Sequence, residues 1–236
     1  VSSFQRARKP EEKEVRRTAI LVAARALARE VGPMELGLNE LGRRSGVSKP
    51  NIYRYFESRE DVLLHLLVSE LEDTVAEVEE GLPRCEGDVR AVAACIAQSY
   101  LARPLLCQLL GMVASILEHN LSLEAIAASK AQIHALSGRV AVALSQALPG
   151  MDKGEAAWAA HSIALYVAGL WPAANPSPVA AQVLARPEFA GMQPVAARDL
   201  GRLIEALLLG LEALRRGLAP RPLRPKSPSG GRRRAE

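Results

Sequence analysis

Gly46 and Pro50 stand four residues apart in "LNELGRRSGVSKPNIYRYF", and together they restrict the stretch to one kind of structure. A glycine that follows an apolar-periodic run supplies the left-handed residue at which a helix stops. A proline just behind a serine opens the next helix, because the first turn has no use for the missing N–H. The stretch therefore reads as two short helices, about Leu38 to Ser45 and Lys49 to Phe56. Gly37 and Ser48 occupy their N-cap positions, serine being the stronger cap. Leu38 and Leu41 face inward on the first, Ile52 and Phe56 on the second.

Helical periodicity extends to nearly all the rest, and no segment alternates with the period of a strand. Ile20, Ala23, Ala24, Leu27 and Val31 form one stripe over Val15 to Val31, ended by Gly32-Pro33. Ser58, Arg59, Glu60 and Asp61 have capping-box form and open a longer helix to about Leu82. Its inner face is Val62, Leu63, Leu66, Leu67, Leu71, Val75 and Val78. Its acidic residues, Glu70, Glu72, Asp73, Glu77, Glu79 and Glu80, read as an exposed face. Further helices are expected near 86–102, 104–119, 122–147, 153–174 and 197–217, with Asp152 and Glu155 suited to the start of the fourth of these. The Pro-punctuated connector at 175–196 is long for a plain loop and should hold one short helix. The organisation expected is a basic N-terminal arm at 1–14, a helix-turn-helix domain at 15–58, a larger helical domain at 59–219 and a disordered basic tail at 220–236. The fold class is all-α.

Charge divides the chain in the same way. Residues 1–60 hold 13 Lys and Arg against 8 Asp and Glu, residues 61–220 hold 11 against 17, and residues 221–236 hold 6 against 1. A basic head on an acidic body points to a polyanionic partner for the head alone. Three cysteines, Cys85, Cys95 and Cys107, form no C-x-x-C and are an odd number, which argues against a disulfide framework or zinc site and fits a reducing cytoplasm. No signal-peptide pattern is present at the charged N-terminus, and no apolar run has the length of a membrane span. Ile163 to Ala174 is apolar but short, and it contains Gly169 and Pro172.

In a helix-turn-helix the second helix enters the major groove with its N-terminal residues at the base edges. Those residues here are Ser48, Lys49, Pro50 and Asn51. Lysine bonds guanine O6 or N7, asparagine bonds adenine, and the proline offers apolar surface to a thymine methyl. Tyr53, Arg54 and Tyr55 carry groups suited to phosphate. A plain helical hairpin with a solvated basic face is the competing reading of the pattern alone.

The runs "ILVAARALAREVG" and "LNELGRRSGVSKPNIYRYFESREDVLLHLL" resemble the DNA-binding domain of the TetR family of bacterial transcriptional regulators. The likeness spans residues 16 to 67; the remainder is similar only in helical character and length. Ala28 stands where the family usually has an aromatic, Gly37 where it has Thr or Ser, and Gly42 where it has Ala; each glycine should weaken the domain by about 1 kcal/mol. The resemblance implies a homodimer with two heads in successive major grooves of a pseudo-palindromic operator on double-stranded DNA. It also implies a C-terminal domain that pairs the subunits and encloses a small-molecule effector, whose binding releases DNA. Carried over by position, Ser48, Lys49, Asn51, Tyr53, Arg54 and Tyr55 are DNA contacts and Arg59 is a phosphate clamp, with Arg16 and Arg17 beside it. Arg43 and Arg44 fit either DNA or a solvated face.

For the subunit interface, Trp158 to Trp171 offers small residues that permit close approach (Ala159, Ala160, Ala164, Ala168, Gly169). Leu200, Leu203, Ile204, Leu207, Leu208, Leu211 and Leu214 form a stripe wider than one core face requires. Trp158, Leu165, Leu203, Leu207 and Leu211 are the interface candidates. Tyr100, Met112, His119, His134, Trp158, His161 and Tyr166 are the candidates to line a pocket. The scarcity of charge in 91–147 favours an apolar or weakly polar effector. No H-E-x-x-H, G-x-S-x-G or phosphate-cradling glycine loop occurs, and the histidines are too scattered for a metal set, so neither enzyme activity nor a cofactor is expected. A DNA-binding regulator controlled without a small molecule and a ligand-responsive activator are the alternatives.

Overall fold

The computed structural model describes residues 3–217, with side chains from Glu12 onward. Ten α-helices make up the described chain, and no strand occurs in it: α1 (Ser3–Val31), α2 (Leu38–Ser45), α3 (Lys49–Ile52), α4 (Arg59–Gly81), α5 (Val89–Leu101), α6 (Pro104–Met112), α7 (Leu123–Ala147), α8 (Lys153–Ala174), α9 (Pro178–Leu184) and α10 (Ala196–Arg215). The tail from Pro220 lies outside the described residues. The first helix begins at Ser3, twelve residues before the apolar stripe, so most of the expected N-terminal arm is a continuation of α1.

In the head, α1 packs against α2 and α4, and α2 against α3. Ile20, Ala24, Leu27, Leu41, Ile52 and Phe56 meet Val62, Leu63, Leu66 and Leu67 there, all at most 2% exposed. Val31, the last member of the expected stripe, is 42% exposed, because the chain turns away at Gly32. Beyond the head, α4 runs on between α5, α6 and α7; α8 lies against α6 and α7, and α10 against α5 and α8. α4 thus belongs to both cores.

Gly46 takes the left-handed conformation (φ 68°) and its N–H bonds the Gly42 carbonyl, as a helix-ending glycine does. Ser48 caps α3 differently from expectation. Its side chain makes no cap bond, while its carbonyl accepts from the N–H groups of Asn51 (2.8 Å) and Ile52 (3.0 Å). α3 also ends sooner than expected: after Ile52 the bonds tighten to three-residue turns, Arg54 N–H to Asn51 O (3.2 Å) and Tyr55 N–H to Ile52 O (2.9 Å). Gly42 is not the weak point its helix propensity suggests. A Cβ there would stand 2.8 Å from the Val47 carbonyl oxygen, so the glycine lets α2 and the turn approach.

At the start of α4, the Ser58 hydroxyl accepts from Asp61 N–H (3.2 Å), and the Asp61 carboxylate reaches back to Glu57 N–H (2.9 Å). The capping box at α8 is complete, with Glu155 N–H to Asp152 (2.9 Å) and Asp152 N–H to Glu155 (3.2 Å). α6 passes into a π-helical turn at Val113–Leu117 instead of continuing to 119. The 175–196 connector holds α9 and a 3₁₀ turn at Pro187–Phe189, neither with a buried residue. No single described helix is long and apolar enough to cross a membrane.

Candidate nucleic-acid interface and control sites

Ile52 and Phe56, buried four residues apart, hold α3 and its following turn by one side. The opposite side is therefore open: Ser48, Lys49, Pro50, Asn51 and Arg54 are exposed and Tyr53 is 50% exposed. Tyr55 is half-buried against the core. The aromatic residues divide by depth, with Phe56 inside, Tyr55 at the rim and Tyr53 outside. A lysine, an asparagine, a proline and an arginine consequently share one accessible surface without an acidic residue between them.

The other basic candidates fare differently. Arg16 is exposed. Arg17 is turned inward: its Nη2 lies 3.0 Å from His65 Nδ1, and its guanidinium sits 5.6 Å from the Phe56 ring centroid. His65 meets Phe56 edge-on at 5.4 Å. Arg59 donates to the Met34 carbonyl (2.9 Å) and, through Nε and Nη2, to Glu60 Oε1 (3.0 and 2.9 Å). These cations tie α4 to α1 and to the turn after it. Arg43 and Arg44 share Glu40, and Arg44 also pairs with Glu30. The two guanidinium groups hold the Glu40 carboxyl down at about 2. This is a solvated ion network.

Glu70 is the largest departure from the expected acidic face. Its side chain has no exposure, and it accepts from Arg25 Nε (2.9 Å) and Arg29 Nη2 (3.0 Å) of α1. Arg25 also donates to Ser69 Oγ (2.8 Å). A buried carboxylate is tolerable only with such partners.

Two contacts carry the head's position into the larger domain. One is this Arg25–Glu70–Arg29 cluster. The other is Glu57, whose carboxylate accepts from the Ser122 N–H (3.0 Å) and hydroxyl (2.7 Å) at the start of α7. These bonds hold the Glu57 carboxyl below the usual carboxylate range. Sequence spacing offered no signal for either, because the partners lie 41 to 65 residues apart. The capping role of Ser122, which accepts from Ala125 N–H (3.1 Å), is the one part readable from local pattern.

The pocket candidates are not brought together. Tyr100 and Met112 are buried, Tyr166 is half-buried, and His119, His134, Trp158 and His161 are exposed. Tyr100 alone lines an internal void, with Leu71, Thr74, Val75, Ile96 and Ile163, and that void measures about 10 Å³. Burial there pushes the Tyr100 phenol up. The large concavity lies elsewhere, a groove of about 1030 Å³ between the end of α4 and the C-terminal half of α7. Leu82, Pro83, Val142, Ala143 and Ala147 line it, and the bidentate Arg139–Glu79 pair (2.6 and 2.9 Å) stands at its edge.

The interface candidates separate by face. Trp158 (54%) and Leu165 (61%) are exposed on α8, and Leu203 and Leu207 are half-buried on α10. Leu211 is only 7% exposed and points into the chain's own core, a correction to its assignment. Leu209 (46%) and Leu214 (59%) are exposed on the same helix. Part of the small-residue pattern on α8 also serves the chain itself. Ala159 and Ala160 are buried, and a Cβ on Gly111 of α6 would stand 3.1 Å from the Ala168 carbonyl oxygen.

A three-helix head that exposes the front of α3, joined through a shared helix to an all-helical body, is the build of a helix-turn-helix transcriptional regulator. Residues 20–66 match the family model "Bacterial regulatory proteins, tetR family", and residues 68–215 match "Tetracyclin repressor-like, C-terminal domain". The chain belongs to the TetR family of bacterial transcriptional regulators. Among solved structures it is similar to a TetR-family regulator from Streptomyces coelicolor (20% identity, TM-score 0.52, covering 83% of this chain and 98% of that one). It is likewise similar to a TetR regulator from Rhodococcus sp. RHA1 (17%, 0.53, 85% and 99%). At these identities the likeness concerns the fold. No curated protein matches the chain.

Proposed function

We propose that the protein is a homodimeric repressor that binds a pseudo-palindromic operator and leaves it when a small, mostly apolar effector binds. The observation that carries the reading is the open surface of Ser48, Lys49, Pro50, Asn51, Tyr53 and Arg54, held by buried Ile52 and Phe56. Lys49 and Asn51 read base edges, while Tyr53, Arg54, Tyr55 and Arg16 meet phosphates. Pairing of subunits uses α8 and α10, where Trp158, Leu165, Leu209 and Leu214 leave apolar surface in water. Each is already close to half covered, so burying the remainder would contribute about 1 kcal/mol apiece.

The effector enters at the groove between α4 and α7. Its size suits a small molecule, whereas the void beside Tyr100 holds at most about one water. A ligand wedged there displaces α4, and α4 carries the head. Selection of bound duplexes from a random pool tests the DNA reading, and a compound screen for release from the selected duplex tests the effector. A pool that yields no preferred sequence overturns the first. Selected DNA that no compound releases favours control without a small molecule.

A further inference from the structure

Cys85 and Cys95 carry no recognisable spacing motif, yet the fold brings them to one place. Cys85 ends a 3₁₀ turn, Leu82–Cys85, that prolongs α4. The chain then reverses through two left-handed residues, Glu86 (φ 50°) and Gly87 (φ 81°), and sends α5 back along the end of α4. Gly81 receives both sulfurs. The Cys85 thiol faces the Gly81 carbonyl oxygen at 3.7 Å, and the Cys95 sulfur lies 2.5 Å from where a Cβ on Gly81 would stand. Any side chain at position 81 would occupy the space that the second sulfur fills. Cys85 and Cys95 are only half-buried, whereas Cys107 is enclosed on α6 and faces the Tyr100 carbonyl oxygen at 3.3 Å.

We propose that Cys85 and Cys95 are a redox-active dithiol that a low-molecular-weight disulfide converts to an intramolecular disulfide. The Cys85 thiolate attacks one sulfur of the reagent, forms a mixed disulfide and expels the first thiolate. Cys95 then gives up its proton and attacks the Cys85 sulfur, closing the bridge and expelling the second thiolate. In sum, two cysteine thiols lose two protons and two electrons, and the reagent disulfide takes up both to become two thiols. The order follows from the surroundings. Burial, together with the neighbouring Cys85 thiol, pushes the Cys95 thiol up, so it is the poorer first nucleophile and acts as the resolving partner. Burial pushes Cys107 up to about 12, which leaves it out of the exchange.

The bridge has a structural consequence. It fastens the turn after α4 to α5, and Leu82, Pro83, Glu86 and Gly87 from that turn form one wall of the groove against α7. Oxidation therefore ties that wall covalently to α5.

The test treats the folded, full-length protein with glutathione disulfide and follows it by intact mass and non-reducing peptide mapping. The expected product is a monomeric chain that has lost two hydrogens, carries a Cys85–Cys95 linked peptide, keeps Cys107 alkylatable after unfolding, and returns to the starting mass with dithiothreitol. Cys95→Ser should accumulate one glutathione adduct on Cys85, and Cys85→Ser should form no bridge. The wild-type map does not depend on either variant folding. A bridge that includes Cys107, a linkage between chains, a mixed disulfide that persists in the wild type, or no reaction at Cys85 would each overturn the proposal.

Discussion

The carboxylate of Glu57, one residue past the buried Phe56, accepts both the backbone N–H and the hydroxyl of Ser122 at the first turn of α7. A residue of the reading head is thereby hydrogen-bonded to the helix that forms one side of the large groove. A change in α7 has a direct route to the turn that follows α3.

Glu57→Ala should speed amide hydrogen exchange at residues 53–57 and at 122–126 together. Ser122→Ala should do the same and also lose the α7 cap, worth about 1 kcal/mol. The double variant should fall short of the sum of the two singles, because both remove the hydroxyl bond, while the Ser122 N–H bond to Glu57 survives in Ser122→Ala and is lost only with Glu57. Exchange mapped by mass spectrometry reads this, and additive effects would show that the contact does not couple the segments.

Lys49→Ala and Asn51→Ala should each relax sequence preference by about 1–3 kcal/mol at one base step per half-site and leave stability almost unchanged. Arg59→Ala should do the opposite. It loses its bonds to the Met34 carbonyl and Glu60, so thermal stability falls by about 1 kcal/mol while the ranking of sequences stays the same. Binding titrations on a panel of single-base operator variants, beside thermal melts, separate the two.

Glu70→Ala should destabilise the protein by about 2–3 kcal/mol, since it empties a buried site and strips Arg25 and Arg29 of their shared acceptor. Both arginines keep some contact with water, which holds the penalty below that of a fully enclosed pair. Urea unfolding measures it, and a change below about 0.5 kcal/mol would mark Glu70 as an ordinary surface residue.

Stability should fall as pH drops below about 6.5, the ordinary histidine value, through the contribution of His65. Burial first, and then the Arg17 cation, lower its proton affinity in the folded state, against an opposing pull from Asp61 and Glu14. The unfolded chain then binds more protons than the folded one, so stability is fully present above the unfolded value and is lost as pH falls toward the folded one. Protonation also removes the ring nitrogen that accepts from Arg17. His65→Phe should flatten thermal melts between pH 7.5 and 5.5; an unchanged slope would assign the acid sensitivity to other groups.

Leu165→Glu should yield a folded monomer, because the side chain is 61% exposed and lies on the proposed interface. Leu211→Glu should instead unfold the chain, since it places a carboxylate where a leucine is 7% exposed. Light scattering and circular dichroism on both variants decide the matter. Two folded monomers, or two folded dimers, would reassign the interface.

What could be read without coordinates rests on local rules. Helix type follows from apolar spacing, and the break at Gly46 follows from the left-handed turn it makes. Ile52 and Phe56 face inward because they are apolar and four apart, and the exposure of Lys49 and Asn51 follows from that. Local spacing also names Val62, Leu63, Leu66, Leu67, Leu71, Val75 and Val78 on the inner face of α4, all of them buried, and misses Leu64, Glu70 and Thr74. What tertiary structure alone decided is where charges and surplus leucines go. Glu70 lies among acidic neighbours in the chain, yet α1 covers it with two arginines. Arg17 and Arg59 look free for phosphate until His65, Met34 and Glu60 stand beside them. Leu211 and Leu209 sit on one helix, and only the position of neighbouring elements makes the first core and leaves the second in water. Periodicity reports how a helix presents its faces; which face meets protein, and which ion finds a partner, depends on segments tens of residues away that converge only when the chain has packed.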